Sequence, residues 1–367
     1  MFRHRRVHRI VPAVAGVLSL TVAGCGTAVS PSVSSPSGTI QSQSQTPTGP
    51  ILGYVWDAPS QSLRPIQGLA GASIIGAATV SAPSQGTSFI ASATSGISGM
   101  ALFLDAKGGV FQGPVTGGPL TKVASVSGAT SLILSNSGGY AVVTGKSADG
   151  ASIAFVISGL PAMPSTRSLN LASAAAVLGA AASDTGTVAL ASGSSQGNVL
   201  IVAFVGQAAG AQVATTQAFG GMQFVPNSDE LVVADSGSGA LSAITRVNTT
   251  PSSSALSPAG GITAPIALDI TSNGRWVVAA NHNGDVLRVD LTGAAATSKV
   301  HCSCAPSQVL ALNGSASGAK AGTAVRLVTA GGPFWIVDAG NTSPRVLFIP
   351  AITMTGTLPT LTPKSAM

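Results

Sequence analysis

A turn built around Gly or Asp returns along this chain at nearly even steps. It falls at Gly99, Gly139, Gly186, Asp229, Gly274 and Gly322, at intervals of 40, 47, 43, 45 and 48 residues. After each marker comes a β-rich run, such as Met100-Ala101-Leu102-Phe103, Tyr140-Ala141-Val142-Val143 and Arg275-Trp276-Val277-Val278. The run after Gly186, Thr187-Val188-Ala189-Leu190, is weaker. A second turn keeps step about ten residues later, at Gly109, Gly150, Gly197, Gly239 and Gly284. The clearest copy is the stretch from Pro265 to Asp290, in which apolar runs are cut at Ser272-Asn273-Gly274 and Asn283-Gly284. Short apolar runs divided by turns that tolerate positive φ are the signal of β-hairpins.

A recurrence of 40–45 residues carrying four strands is one blade of a β-propeller. A single small twisted sheet leaves both faces bare, and blades arranged about an axis cover one another. The outer strands are expected at residues 120–125, 168–172, 212–217, 253–257, 297–302 and 345–350. Six blades then fill residues 85 to 351. A further hairpin, Gly53 to Ala58 with Ser62 to Ile66, resembles the half-blade from Pro333 to Ile349. Strands from 53–80 with one from 351–358 make a composite seventh blade. The fold class is therefore all-β, a propeller of four-stranded blades, with seven blades expected and six as the alternative. Only 8% of residues are charged, so the surface takes its polarity from Ser, Thr, Asn, Gln and Gly; the 45 glycines suit many tight turns.

The body, residues 51–358, resembles bacterial extracytoplasmic propellers of the tryptophan–aspartate and YVTN repeat types. The resemblance is one of architecture. No consistent Trp-Asp closes the strands, no Tyr-Val-Thr-Asn occurs, and no catalytic residue is carried over.

The N-terminus reads as an address. Arg3, Arg5, Arg6 and Arg9 precede an almost wholly apolar stretch from Ile10 to Ala23, which ends in Val22-Ala23-Gly24-Cys25. A basic start, an apolar run too short to span a bilayer and small residues at the end describe a cleaved export signal. Small residues before a Cys resemble the lipobox of bacterial lipoproteins, which implies a signal peptide over 1–24 and a diacylglycerol on the Cys25 thiol. The other reading is an ordinary secretory signal whose cleavage region contains a Cys. Gly26 carries no acidic retention signal, which favours an outer membrane where the cell has one. Residues 25–50, rich in Ser, Pro, Thr and Gln, cannot bury enough apolar area to offset the entropy of ordering and read as a flexible tether. Residues 359–367 are a C-terminal tail. The net charge of +6 comes largely from the leader: without its four arginines 13 basic residues face 11 acids. No basic run remains, so nucleic acid is not an expected partner.

The chemistry-bearing residues are few. Cys302 and Cys304, in His301-Cys302-Ser303-Cys304, are the remaining cysteines, and in an exported chain such a pair is expected as a disulfide. The alternative is a soft-metal site with His301 as third ligand. His282, in Asn281-His282-Asn283-Gly284, reads as a solvated turn residue. Asp57, Asp105, Asp235 and Asp338 each end a strand, where a carboxylate caps turn N–H groups. Equivalent positions in a ring could also converge on a channel mouth as a calcium or sugar site. Gly193-Ser194-Ser195-Gln196-Gly197 has the outline of a hydrolase elbow but lies in an expected hairpin turn. Gly117-Gly118 and Gly331-Gly332 are turns without the Lys-Ser/Thr of a phosphate loop. Trp56, Trp276 and Trp335 read as blade packing. No cofactor motif and no metal set emerges. The expected function is a lipid-anchored binding or scaffold module at the bacterial cell envelope, with a protein or glycan partner on a propeller face. The alternative is a propeller-type hydrolase or lyase with a divalent metal in the channel, and a structural envelope protein is a third reading.

Overall fold

The computed structural model describes residues 49–82, 87–171, 176–194, 196–206, 209–293, 296–314, 322–329 and 334–349. The expected signal peptide, Cys25, the tether, the strand at 351–358 and the tail lie outside these residues.

Seven four-stranded antiparallel sheets follow one another along the chain. Blade 1 is β1 (Ile51–Asp57), β2 (Ser62–Leu69), β3 (Ala72–Ile75) and β4 (Val80–Ser81). Blade 2 is β5 (Phe89–Ser95), β6 (Met100–Asp105), β7 (Gly109–Pro114) and β8 (Thr121–Ser125). Blade 3 is β9 (Ala129–Leu134), β10 (Tyr140–Lys146), β11 (Ser152–Ser158) and β12 (Ser165–Ser168). Blade 4 is β13 (Val177–Ala182), β14 (Val188–Gly193), β15 (Val199–Phe204) and β16 (Ala211–Thr216). Blade 5 is β17 (Phe219–Phe224), β18 (Leu231–Asp235), β19 (Ala240–Thr245) and β20 (Ser252–Ser257). Blade 6 is β21 (Pro265–Ile270), β22 (Trp276–Asn281), β23 (Asp285–Asp290) and β24 (Thr297–His301). Blade 7 is β25 (Pro306–Ala311), β26 (Ala324–Thr329), β27 (Phe334–Asp338) and β28 (Arg345–Ile349). Blades 2 to 7 run from the axis outward in chain order. Their first strands line the axis, beginning at what we term the entry rim and ending at the exit rim. In blade 1, β3 and β4 both pair with one edge of β2.

The core is divided among the seams. Seven apolar clusters each join residues of two adjacent blades. Between blades 2 and 3, Leu102 and Leu104 meet Ala141, Val143 and Ile157; between blades 3 and 4, Val142 and Val156 meet Val188 and Leu190. Neighbouring residues of one strand thus face opposite seams, as alternation demands. A second strand is covered on both faces, so every residue of β6 and β22 is buried. This is why the second strands read as unbroken apolar runs. The ring closes between blades 7 and 1 through Val55, Ile66, Leu312 and Ile336.

Each inner sheet edge also carries an irregularity that the sequence does not announce. The register between first and second strands slips at Phe89/Ala91, Val177/Gly179, Phe219/Met222, Pro265/Ala267 and Pro306/Gln308, and in blade 3 between Ala129 and Ser131; in blade 1 a slip at Ile51/Gly53 lies between β1 and β2. A bulge adds local twist, and here it recurs in all seven blades.

Two sequence expectations shift. The left-handed residues of the marker turns are Gly138 and Gly108 rather than Gly139 and Gly109, and Asn227 (φ 58°) takes the place assigned to Asp229. The outer strand of blade 3 is residues 165–168 rather than 168–172. Leu169 continues the pairing through its N–H to Ala154 O at 2.8 Å and then plugs the seam with blade 4. Its apolar side chain made the wrong segment look like strand.

Candidate functional site

The inner strands enclose an axial cavity of about 810 Å³. Its wall mixes small and polar residues such as Ser92, Thr94 and Ser131 with larger apolar ones such as Ile133, Phe219 and Leu310. Two acids reach it, Asp184 and Asp269. Neither is among the acids that the sequence singles out.

Asp269 lies within β21 and is 7% exposed. Its Oδ1 accepts from Gln223 Nε2 in blade 5 at 3.1 Å and from Ile270 N at 2.7 Å, and its Oδ2 accepts from Ala311 N in blade 7 at 2.6 Å. Burial pushes its carboxyl up to about 6, against the pull of these three donors. Asp184, in the turn between β13 and β14, repeats the arrangement. Its Oδ1 accepts from Ser137 N of blade 3 at 2.6 Å and its Oδ2 from Asn227 N of blade 5 at 2.8 Å. Each carboxylate therefore ties its own blade to both neighbours. A signal for Asp269 does exist in the sequence: it is an acid inside a strand, where Asp57, Asp105, Asp235 and Asp338 close strands.

Arg326, on β26, also lines the cavity. Its guanidinium stacks over Phe334 at 4.5 Å, and burial draws its pKa down to about 10. Trp56 lines the cavity too, while packing edge-on to Phe89 with centroids 5.8 Å apart. Trp276 is buried between Arg275 and Arg288, whose guanidinium carbons lie 4.5 and 4.1 Å from its ring centre, and Trp335 meets Phe348 at 5.3 Å.

The strand-ending acids do not converge. Asp105 Oδ1 accepts from Lys107 N and Gly109 N at 2.8 and 2.6 Å, and Asp235 Oδ1 accepts from Gly237 N at 2.9 Å and from Ala218 N at 3.1 Å. Asp57 accepts from Ser60 Oγ at 2.5 Å and pairs with Arg64 at 3.1 Å. Asn281 fills the same role in blade 6, with Asn283 N and Asp285 N on its Oδ1. Asp338 ends a third strand, at the opposite rim from Asp57, Asp105 and Asp235, and accepts from Gly340 N at 3.1 Å. Capping, rather than a shared mouth site, is what these residues do. Gly193 to Gly197 spans the hairpin between β14 and β15, closed by Ser194 N on Asn198 O at 2.8 Å.

At the entry rim of blade 6 the Cys302 and Cys304 sulfurs lie at bonding distance with Cα atoms 5.1 Å apart. His301 places Nδ1 2.9 Å from Asp285 Oδ1, which helps hold that carboxyl below the usual range. His282 is exposed in its turn. Among the described residues no three His, Cys, Asp or Glu side chains gather as a metal site.

No protein-family profile matches the chain, and no curated protein matches it. Solved structures do resemble it. A functionally unknown protein from Desulfotomaculum acetoxidans DSM 771 superposes with a TM-score of 0.54 at 14% identity, covering 82% of this chain and 99% of that one. The β-propeller domain of Cps50 (Swd1) from Myceliophteria thermophila gives a TM-score of 0.49 at 13% identity, covering 72% and 88%. The first of these likenesses supports the fold and nothing finer; the second is too slight to argue from.

Proposed function

We propose that this chain is an exported, lipid-anchored propeller of the bacterial cell envelope, acting as a binding or scaffold module through its faces. The observation that carries the reading is the use made of the cavity acids. Each oxygen of Asp184 and of Asp269 accepts from an N–H donor of its own or a neighbouring blade, so the two acids that line the cavity serve to join blades, which supports a rigid module whose faces are left for binding. The propeller fold supports a binding role in general, with its loops presented from a rigid ring. Cys25 would carry the diacylglycerol, residues 25–50 would hold the ring off the membrane, and a protein or glycan would be met at a rim. An outer membrane is the favoured location where one exists. The Cys302–Cys304 disulfide fits an oxidising compartment.

Cys25→Ser tests the anchor. Expressed in a bacterial host, the native chain should enter the detergent phase, and the variant should move to the aqueous phase while keeping its thermal midpoint. A variant that still enters the detergent phase removes the lipid anchor from the proposal.

A further inference from the structure

The face that blade 7 turns toward blade 1 carries a charge among apolar side chains. On β26, Val325 and Leu327 pack into the seam with blade 6, whereas Ala324 packs into the seam with blade 1. Alternation puts Arg326 and Val328 on the same face as Ala324. On β25 the cross-strand partner of Arg326 is Leu310, which shares a face with Leu312, another member of the seam with blade 1. Residues directly opposite on paired strands lie about 5 Å apart at their Cβ atoms. Arg326, Val328 and Leu310 therefore form one patch, and all three line the axial cavity.

Arg326 breaks the ordinary rule for charges in a fold. Buried charges are paired with an opposite charge and hydrogen-bonded. Among the described residues Arg326 makes no ion pair, and its Nε is buried without an acceptor. Phe334 covers one flat face of the guanidinium. Burial alone draws its pKa down, with no carboxylate near enough to oppose it, and at about 10 the group stays protonated at neutral pH. The two cavity acids are engaged elsewhere, Asp184 by blades 3 and 5 and Asp269 by blades 5, 6 and 7. Beside the guanidinium, Leu310 is 43% exposed. An unpaired cation next to an uncovered apolar side chain is complementary to an anion with an apolar body.

We propose that the axial cavity binds an organic monocarboxylate, with its carboxylate on the Arg326 guanidinium and its apolar body along Leu310 and Val328. Guanidinium and carboxylate are planar and meet through two parallel N–H···O bonds, a fit that a lysine would not give. The single charge follows from the lining. Arg326 is the one cation among the described residues of the wall, and Asp184 and Asp269 would repel a second negative group. The cavity, at about 810 Å³, has room for a small organic acid. The inference rests neither on the lipid anchor nor on a partner at a rim.

Midpoint shifts of the full chain test it, with sodium hexanoate and sodium benzoate as probes. At ~10 mM at least one of them should raise the thermal midpoint by about 2 °C or more. Its neutral amide, hexanamide or benzamide, and inorganic phosphate at the same concentration should give less than half of that shift. Arg326→Met should abolish the shift and raise the urea midpoint of the ligand-free chain, because a desolvated, unpaired charge has gone. Leu310→Asn, at a part-exposed position, should keep the fold and lose at least half of the shift. No shift with either acid, an equal shift with the amide or with phosphate, or a shift that survives in Arg326→Met would overturn the site. So would a lowered urea midpoint in ligand-free Arg326→Met, since the guanidinium would then have its partner within the fold.

Discussion

Relative to an Asp269→Asn variant, the native chain is expected to lose about 2 kcal/mol of stability as the pH rises from 4 to 6. The cause is a desolvated carboxyl. In the unfolded chain Asp269 titrates near 3.8, whereas in the fold it titrates at about 6. Between those values the unfolded state has released a proton that the folded state still holds, so rising pH favours unfolding. Above about 7 both states are ionised and the difference levels off; below about 3 both are protonated and it vanishes. Glu230, raised by partial burial, acts in the same sense. Asp290, held at about 2 chiefly by Arg275, gives stability that is lost only as pH falls from about 4 towards 2, outside the window. Comparing native chain with variant removes both contributions. Urea midpoints from pH 4 to 7 are the measurement, and parallel curves would show that the Asp269 carboxyl is not desolvated as described.

Arg288→Ala is expected to cost about 3 kcal/mol, because one guanidinium serves two blades. It donates through Nε to Ser298 Oγ at 2.9 Å within blade 6, and through its two terminal nitrogens to Ala339 O at 2.8 Å and Thr342 O at 2.9 Å in blade 7. Its flat face also covers Trp276. Removing it leaves carbonyls of the turn after β27 without a donor and exposes the indole. Arg288→Lys should recover less than half of the loss, since a single ammonium cannot reach both blades or stack on the ring. Denaturant midpoints at constant m-value give the comparison. Full recovery by Lys would mean that charge alone matters at this position.

Much of the ring was legible in the sequence because its turns need residues of special backbone conformation. Gly99, Gly186, Gly274 and Gly322 all have positive φ, and their spacing gave the blade length. Second strands buried on both faces supplied the apolar runs between those marks. What could not be read was anything set by a neighbouring blade. Asp184 bonds residues 47 and 43 positions away, and Asp269 bonds residues 46 and 42 positions away, so no local pattern announces either. Strand-ending acids were read as caps, and Asp105 and Asp235 show why: each N–H they accept lies within a few residues or on the paired strand.

The address, by contrast, rests wholly on residues 1–25, and the intact mass of the protein extracted from a bacterial membrane tests it most directly. A chain that begins at Cys25, carries a diacylglycerol and is two hydrogens lighter than its reduced form at Cys302 and Cys304 is the predicted result. A chain that retains Met1, or that starts at another residue with no lipid, would contradict it.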